Sequence, residues 1–123
     1  MVPVLVSYVV EWLRTPPAPP TLLNWAPEIA IRYVNVNGVT LRYVKVGQGS
    51  PLVLLHTLRT QLDMFQKVVP ELSQHFEVYA LDYPGHGFSD IPNVEYTPEL
   101  FIKSVAGFLE QVNIENATVM GES

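Results

Sequence analysis

The chain contains no cysteine among its 123 residues. Disulfide scaffolds, thiolate metal sites and a cysteine nucleophile are therefore all excluded. A cytoplasmic location is compatible with that absence and is the expectation here. Positive charge is scarce too. Seven Lys and Arg face twelve Asp and Glu, for a formal net charge of −5, and the seven are scattered. A nucleic-acid-binding face needs them clustered, so nucleic acid is not an expected partner. No hydrophobic run is long enough to span a bilayer as a helix. The longest near the start, Val2 to Val10, falls well short, and nothing basic precedes it as a secretory leader would require. His56, His86 and Asp82 have no recognised ligand spacing, so no metal is expected. No G-x-G-x-x-G follows the first parallel strand, and no cofactor is expected. What the chain does have is 48% hydrophobic and 15% charged residues, the composition of a globular domain with a core of its own.

Three segments follow from the pattern. In residues 1–14, Leu5, Tyr8, Val9, Trp12 and Leu13 fall at helical spacing, which predicts an amphipathic helix packed on the domain or on a partner. Contact with a membrane surface and an uncleaved leader are the alternatives. Residues 15–30 form a Pro-rich linker, since Thr15 to Pro27 holds five of the eleven prolines and proline continues neither a helix nor a ladder. Residues 31–123 are the domain proper.

Within that domain, IRYVNV and TLRYVKV are β-rich runs joined by Asn37-Gly38, a strong hairpin signal. Their alternation predicts an antiparallel pair with one wet face. Pro51 to Leu55 is wholly apolar, as a strand covered on both faces should be. Leu62 to Ser73 carries Leu62, Phe65, Val68, Val69 and Leu72 at helical spacing and predicts a helix. Phe76 to Leu81 is a fourth strand, and Asp82 to Pro92 a loop. Thr97 caps a second helix with Pro98 at its first position, burying Phe101, Val105, Phe108, Leu109 and Val112. Ala117 to Met120 is a fifth strand. A hairpin leading into β-α-β-α-β predicts an α/β sheet with right-handed parallel crossovers.

In open α/β sheets the site lies beyond the carboxyl ends of the strands. Three such ends are readable, and polar or glycine residues gather at each. They are His56-Thr57-Leu58-Arg59, Asp82 to Ser89 (DYPGHGFS), and Gly121-Glu122-Ser123. Gly-x-Ser straight after a short apolar strand is the first half of G-x-S-x-G, which exposes a serine on a tight strand-to-helix turn. Taken alone the triplet is a weak signal; its place after the fifth strand strengthens it.

From Ile31 to Ser123 the sequence resembles the first half of the α/β-hydrolase fold, cut at the nucleophile elbow. Asp82 to Ser89 is similar to the family's D-x-x-G-x-G-x-S loop, His56 matches the histidine that opens the oxyanion loop, and Ser123 aligns with the nucleophile. Esterase-like and carbon–carbon-bond hydrolase members are the nearest. The resemblance implies a Ser-His-Asp/Glu mechanism on an ester or similar acyl substrate, a small molecule. Ser123 would be the catalytic nucleophile. The oxyanion loop His56-Thr57-Leu58 would supply one backbone donor at Leu58, and the residue after Ser123 the other. Family chain order then puts the triad acid and histidine beyond residue 123.

Around that centre, Asp82, Gly85, His86 and Gly87 read as loop-ordering residues, and His75 as a surface residue. Glu122 either covers the pocket floor or faces solvent. Two positions depart from the pattern: Thr57 stands where glycine is usual and Arg59 where proline is common. Thr57 would strain the turn or lend its hydroxyl to the site. Arg59 is either a solvated loop residue or an attractor for a substrate carboxylate. Two other functions stay open, a non-catalytic small-molecule-binding member of the fold and a truncated inactive product. The sequence leaves the oligomeric state undetermined.

Overall fold

The computed structural model describes residues 18–122. The helix expected in residues 1–14 and the nucleophile candidate Ser123 lie outside the described residues.

The chain opens its sheet with β1 (Arg32–Val36) and β2 (Val39–Val46). Between them Asn37 and Gly38 take φ of +53° and +86°, the pair of left-handed residues that a two-residue hairpin turn needs. Val36 consequently faces Val39 and Arg32 faces Tyr43. Next come β3 (Ser50–Leu55), a 3-10 turn (Leu62–Phe65), α1 (Val69–Leu72), β4 (Phe76–Leu81), α2 (Pro98–Gln111) and β5 (Thr118–Gly121). The sheet order is β1-β2-β4-β3-β5. β2 pairs antiparallel with both β1 and β4, while β3 pairs parallel with both β4 and β5. This is the hairpin-then-parallel arrangement expected of an N-terminal α/β-hydrolase portion.

The hairpin does not keep the expected wet face. Leu41 and Val44 are both fully buried, and they belong to two different core clusters on opposite sides of the sheet. On one side Val44 packs with Leu54, Val78, Leu62, Phe65 and Val69. On the other, Leu41 packs with Val53, Leu81 and Phe108 of α2. Phe108 meets Tyr43 edge-on, with ring centroids 5.1 Å apart. The first side is closed partly by the Pro-rich stretch. From Pro20 onward that stretch is not a free spacer, because the apolar residues between its prolines find the sheet. Leu23 and Ala26 are buried, Leu22 bridges Ala30, and the Tyr33 hydroxyl donates to the Pro20 carbonyl at 2.9 Å.

The helix expected over Leu62–Ser73 is replaced by the 3-10 turn and the single turn of α1. Pro70 is the physical reason: it has no N–H to offer the Gln66 carbonyl, so a continuous helix cannot run through it. The apolar spacing still works, since Leu62, Phe65 and Val69 reach the core. α2 matches its expected start, with the Thr97 hydroxyl accepting the Leu100 N–H and Pro98 in the first turn. It buries Phe108 fully, and its other expected core residues, Phe101, Val105, Leu109 and Val112, only in part. β5 begins one residue later than expected and is exposed along its length. Among the described residues, no helix is long and apolar enough to cross a membrane.

Candidate active site

The carboxyl ends of β3, β4 and β5 lie side by side. Leu55 pairs with Leu81 on one flank and with Gly121 on the other, and the Glu122 N–H donates to the Leu55 carbonyl at 3.1 Å. The three segments singled out in the sequence therefore emerge at one edge. A cleft of about 520 Å³ opens there, lined by His56, Thr57, Leu58, Tyr83, Phe101 and Glu122. A second cavity of about 540 Å³ lies beside β5 and is walled mainly by apolar side chains, including Met64, Phe65, Leu72 and Met120. Glu122 borders both, but only the first is lined by residues from all three strand ends.

His56 closes the inner wall. Its ring is buried and both nitrogens are engaged: the Tyr83 N–H donates to Nε2 at 3.0 Å, and Nδ1 lies 2.7 Å from the Thr57 carbonyl. With Nε2 accepting, Nδ1 must carry the proton and donate. Burial holds the imidazole below its ordinary pKa, against the smaller opposing effect of the Thr57 bond. The neutral ring thus links the end of β3 to the start of the loop after β4.

That loop is organised by Asp82, which is fully buried. Its Oδ2 accepts from the Phe88 N–H at 2.9 Å and from Arg42 Nε at 2.6 Å. Its Oδ1 accepts from the Leu62 N–H at 2.7 Å and from an Arg42 Nη at 3.2 Å. Gly87 is required beside it, because a Cβ there would sit 2.1 Å from Asp82 Oδ2. Gly85 donates its N–H to the Asp90 carbonyl, and His86 Nδ1 lies against the Pro84 carbonyl. All four residues read as loop-ordering make contacts within the loop, or between it and its supports.

The His56–Arg59 loop accommodates its two departures from the expected pattern in different ways. Arg59 has φ of +68°, a conformation closed to proline, whose ring holds φ near −65°. Thr57 avoids the left-handed region, so it meets no backbone strain where glycine is usual. Its hydroxyl contacts the Thr60 hydroxyl at 3.1 Å, and Thr60 in turn donates to the Thr57 carbonyl at 2.6 Å. The Leu58 side chain is exposed, and among the described residues nothing accepts its N–H. Arg59 does not line the cleft, whereas Glu122 does. His75 is on the surface.

Sequence reasoning passed over Arg42, Asp63, Tyr83 and Phe101. Tyr83 and Phe101 meet edge-on at 5.2 Å and form the aromatic wall of the cleft; burial raises the Tyr83 pKa. Helical spacing marked Phe101 as core, but it is only half-buried and walls the cleft instead. Arg42 bonds Asp63 as well as Asp82. Burial opposes its charge, but the hydrogen bonds to the two carboxylates outweigh burial and raise its pKa.

The profile described as alpha/beta hydrolase fold matches residues 50–123, more than half of the chain and all three strand ends. The chain belongs to the alpha/beta hydrolase fold family. Among curated relatives of this hydrolase-fold chain is 2-hydroxy-6-oxo-6-(2'-aminophenyl)hexa-2,4-dienoic acid hydrolase of Metapseudomonas resinovorans. It is 31% identical over 96 residues, which is 75% of this chain and 33% of the relative. Bifunctional epoxide hydrolase 2 of Sus scrofa is 31% identical over 116 residues, 91% of this chain and 21% of the relative. Among solved structures, the enol-lactonase from Burkholderia xenovorans LB400 superposes with a TM-score of 0.71 at 36% identity. That match covers 75% of this chain and 37% of the enol-lactonase. The hydrolase-fold chain thus spans about a third or less of the length of these two curated relatives.

Proposed function

We propose that the full-length protein is a serine hydrolase in which Ser123 attacks the acyl carbon of a small ester, lactone or related substrate. One observation carries the reading. β5 pairs with β3 through Gly121, and the Glu122 N–H still reaches the Leu55 carbonyl, so the residues just before Ser123 reach the sheet edge where the His56–Leu58 loop and the Tyr83–Phe101 wall form a cleft. In this mechanism the Ser123 hydroxyl gives its proton to a general-base histidine as its oxygen bonds the acyl carbon. The Leu58 N–H and the N–H following Ser123 receive the developing oxyanion. The same histidine then protonates the leaving group, and water releases the acid.

The described residues also support placing the base and its acid elsewhere in the protein. His56 has both nitrogens committed and Asp82 has four donors on its two oxygens. His86 does not line the cleft. The dienoic-acid hydrolase and enol-lactonase among the relatives favour an acyl or carbon–carbon-cleavage substrate over other chemistry of the family.

Treating the full-length protein with a fluorophosphonate and mapping the adduct tests this reading. Stoichiometric labelling at Ser123, abolished by Ser123→Ala, is the expected result. Absence of labelling in the folded protein would instead favour a binding member of the fold. The polypeptide 1–123 alone should remain unlabelled; labelling of that piece would make one of His56, His75 or His86 the base.

A further inference from the structure

We propose that Arg42 is the positioning residue of the oxyanion loop: by holding Asp82 and Asp63 on either side of Leu62, it sets the direction of the Leu58 N–H. The inference rests on the serine-hydrolase reading and adds a residue to it.

Arg42 sits in the middle of β2 with 1% of its surface exposed, and it does not line the cleft of His56 and Leu58. Its guanidinium takes both oxygens of Asp82 and also Asp63 Oδ1, the last at 2.5 Å. Asp82 passes this constraint on through the Leu62 N–H. The other end of the loop is tied by His56 to the Tyr83 N–H. Residues 57–61 therefore hang between two anchors that are neighbours in sequence, Asp82 and Tyr83. Displacement of Asp82 shifts both the anchor at Leu62 and the backbone that carries the anchor at His56.

Further bonds lock the same dipeptide to β2. The Ser89 hydroxyl accepts the Arg42 N–H and donates to the Asp82 carbonyl, each at 2.8 Å, and the Asp82 N–H donates to the Arg42 carbonyl at 2.9 Å. Asp63 is held in turn by Trp25 Nε1 at 2.7 Å.

A buried ion cluster is a poor way to gain stability, because apolar replacements of similar volume often do as well. It is a good way to fix direction, because a guanidinium fork accepts a carboxylate in one planar arrangement. Oxyanion donors act by being aimed before the reaction begins. A cluster two residues past the loop, with none of its residues lining the His56–Leu58 cleft, fits that purpose.

The test uses the full-length protein and saturable fluorophosphonate labelling at Ser123, which separates kinact from the binding constant KI. Wild type is compared with Arg42→Met, Arg42→Lys and Asp63→Asn, each confirmed folded by its thermal transition. Arg42→Met and Arg42→Lys should lower kinact about ten- to a hundredfold while KI stays within about twofold. That is less than the ~10²–10³ lost with an oxyanion donor itself. Lysine fails to rescue because it keeps the charge and loses the fork. Asp63→Asn should lower kinact by about two- to fivefold, because the Asp82 fork remains, again with KI steady.

Folded Arg42 variants with unchanged kinact would overturn the inference. So would a rise in KI with kinact preserved. If the Arg42 variants do not fold, Asp63→Asn decides: lower kinact at constant KI supports the inference and unchanged kinact overturns it. A wild-type protein that fails to label sinks the hydrolase reading and this inference together. A labelled wild type beside unchanged variants sinks this inference alone.

Discussion

Asp82 carries four donors on two carboxylate oxygens, and Gly87 leaves the space in which it does so. A methyl group at that position would meet the carboxylate at 2.1 Å, and φ of +52° would add backbone strain. Gly87→Ala should therefore destabilise the full-length protein by about 2–4 kcal/mol, read as a lower urea midpoint at unchanged slope. His56 makes a pH-dependent contribution. Its native pKa lies below the ordinary value near 6.5, so the unfolded chain takes up the proton first as pH falls. The unfolded state then binds more protons, and stability drops below about pH 6.5 until the native ring also protonates. The urea midpoint of wild type should fall between about pH 7.5 and pH 5.5 by more than that of His56→Gln; equal falls would remove His56 from the account. Among these residues, those the sequence marks are the ones with local signals. Asp82, Gly85 and Gly87 crowd into one short turn, where two glycines close behind an acid mark backbone folded tightly around a carboxylate. Arg42 has no such signal. It occupies an alternating strand in which an arginine reads as solvent-facing, and its partner Asp82 lies forty residues away.

At the scale of elements, the legible ones are those whose cause is contained within them. Asn37-Gly38 dictates the hairpin, PLVLL can only be a doubly covered strand, and Thr97-Pro98 starts α2. The stretch Leu62–Ser73 was not legible as it stands, because apolar spacing records which residues face the core and not whether the backbone hydrogen bonds continue. Pro70 supplied the missing information, since it interrupts those bonds and leaves the apolar face in place. The closed second face of the hairpin was illegible for a different reason. It depends on α2 and on residues 20–31 arriving from elsewhere in the chain, and neither leaves a trace in the alternation of β2. α2 rests on one side chain above the others. Phe108 is fully buried between Tyr43 and Tyr79, and Phe108→Ala should cost about 3–5 kcal/mol, measured by equilibrium urea unfolding. Ile102→Ala, at an exposed position of the same helix, should stay within about 0.5 kcal/mol. A similar loss at both positions would show that α2 does not dock through Phe108.

At the scale of the whole molecule, β5 pairs among the described residues with β3 alone and leaves Val119 and Met120 46% and 42% exposed. An apolar edge of this kind recruits other strands. The polypeptide 1–123 by itself should self-associate, and light scattering behind a sizing column should show it; a monodisperse monomer with one cooperative thermal transition would contradict this. The convergence of three strand ends on one cleft was readable from the sequence because parallel strands share a direction, so polar residues after each must meet at one edge. The order of the strands across the sheet was not readable, and it has a consequence in time. β2 and β3 follow one another along the chain, yet β4 lies between them in the sheet. While the polypeptide is being made, the hairpin and β3 emerge with no hydrogen-bonding partner for their facing edges until Leu81 has followed. At about 5–20 residues per second, the stretch from Leu55 to Leu81 takes roughly 1–5 s to synthesise. Hairpin formation needs only about 1–10 μs. For nearly all of that interval the folded hairpin shows an unpaired strand edge to chaperones and to neighbouring chains alike.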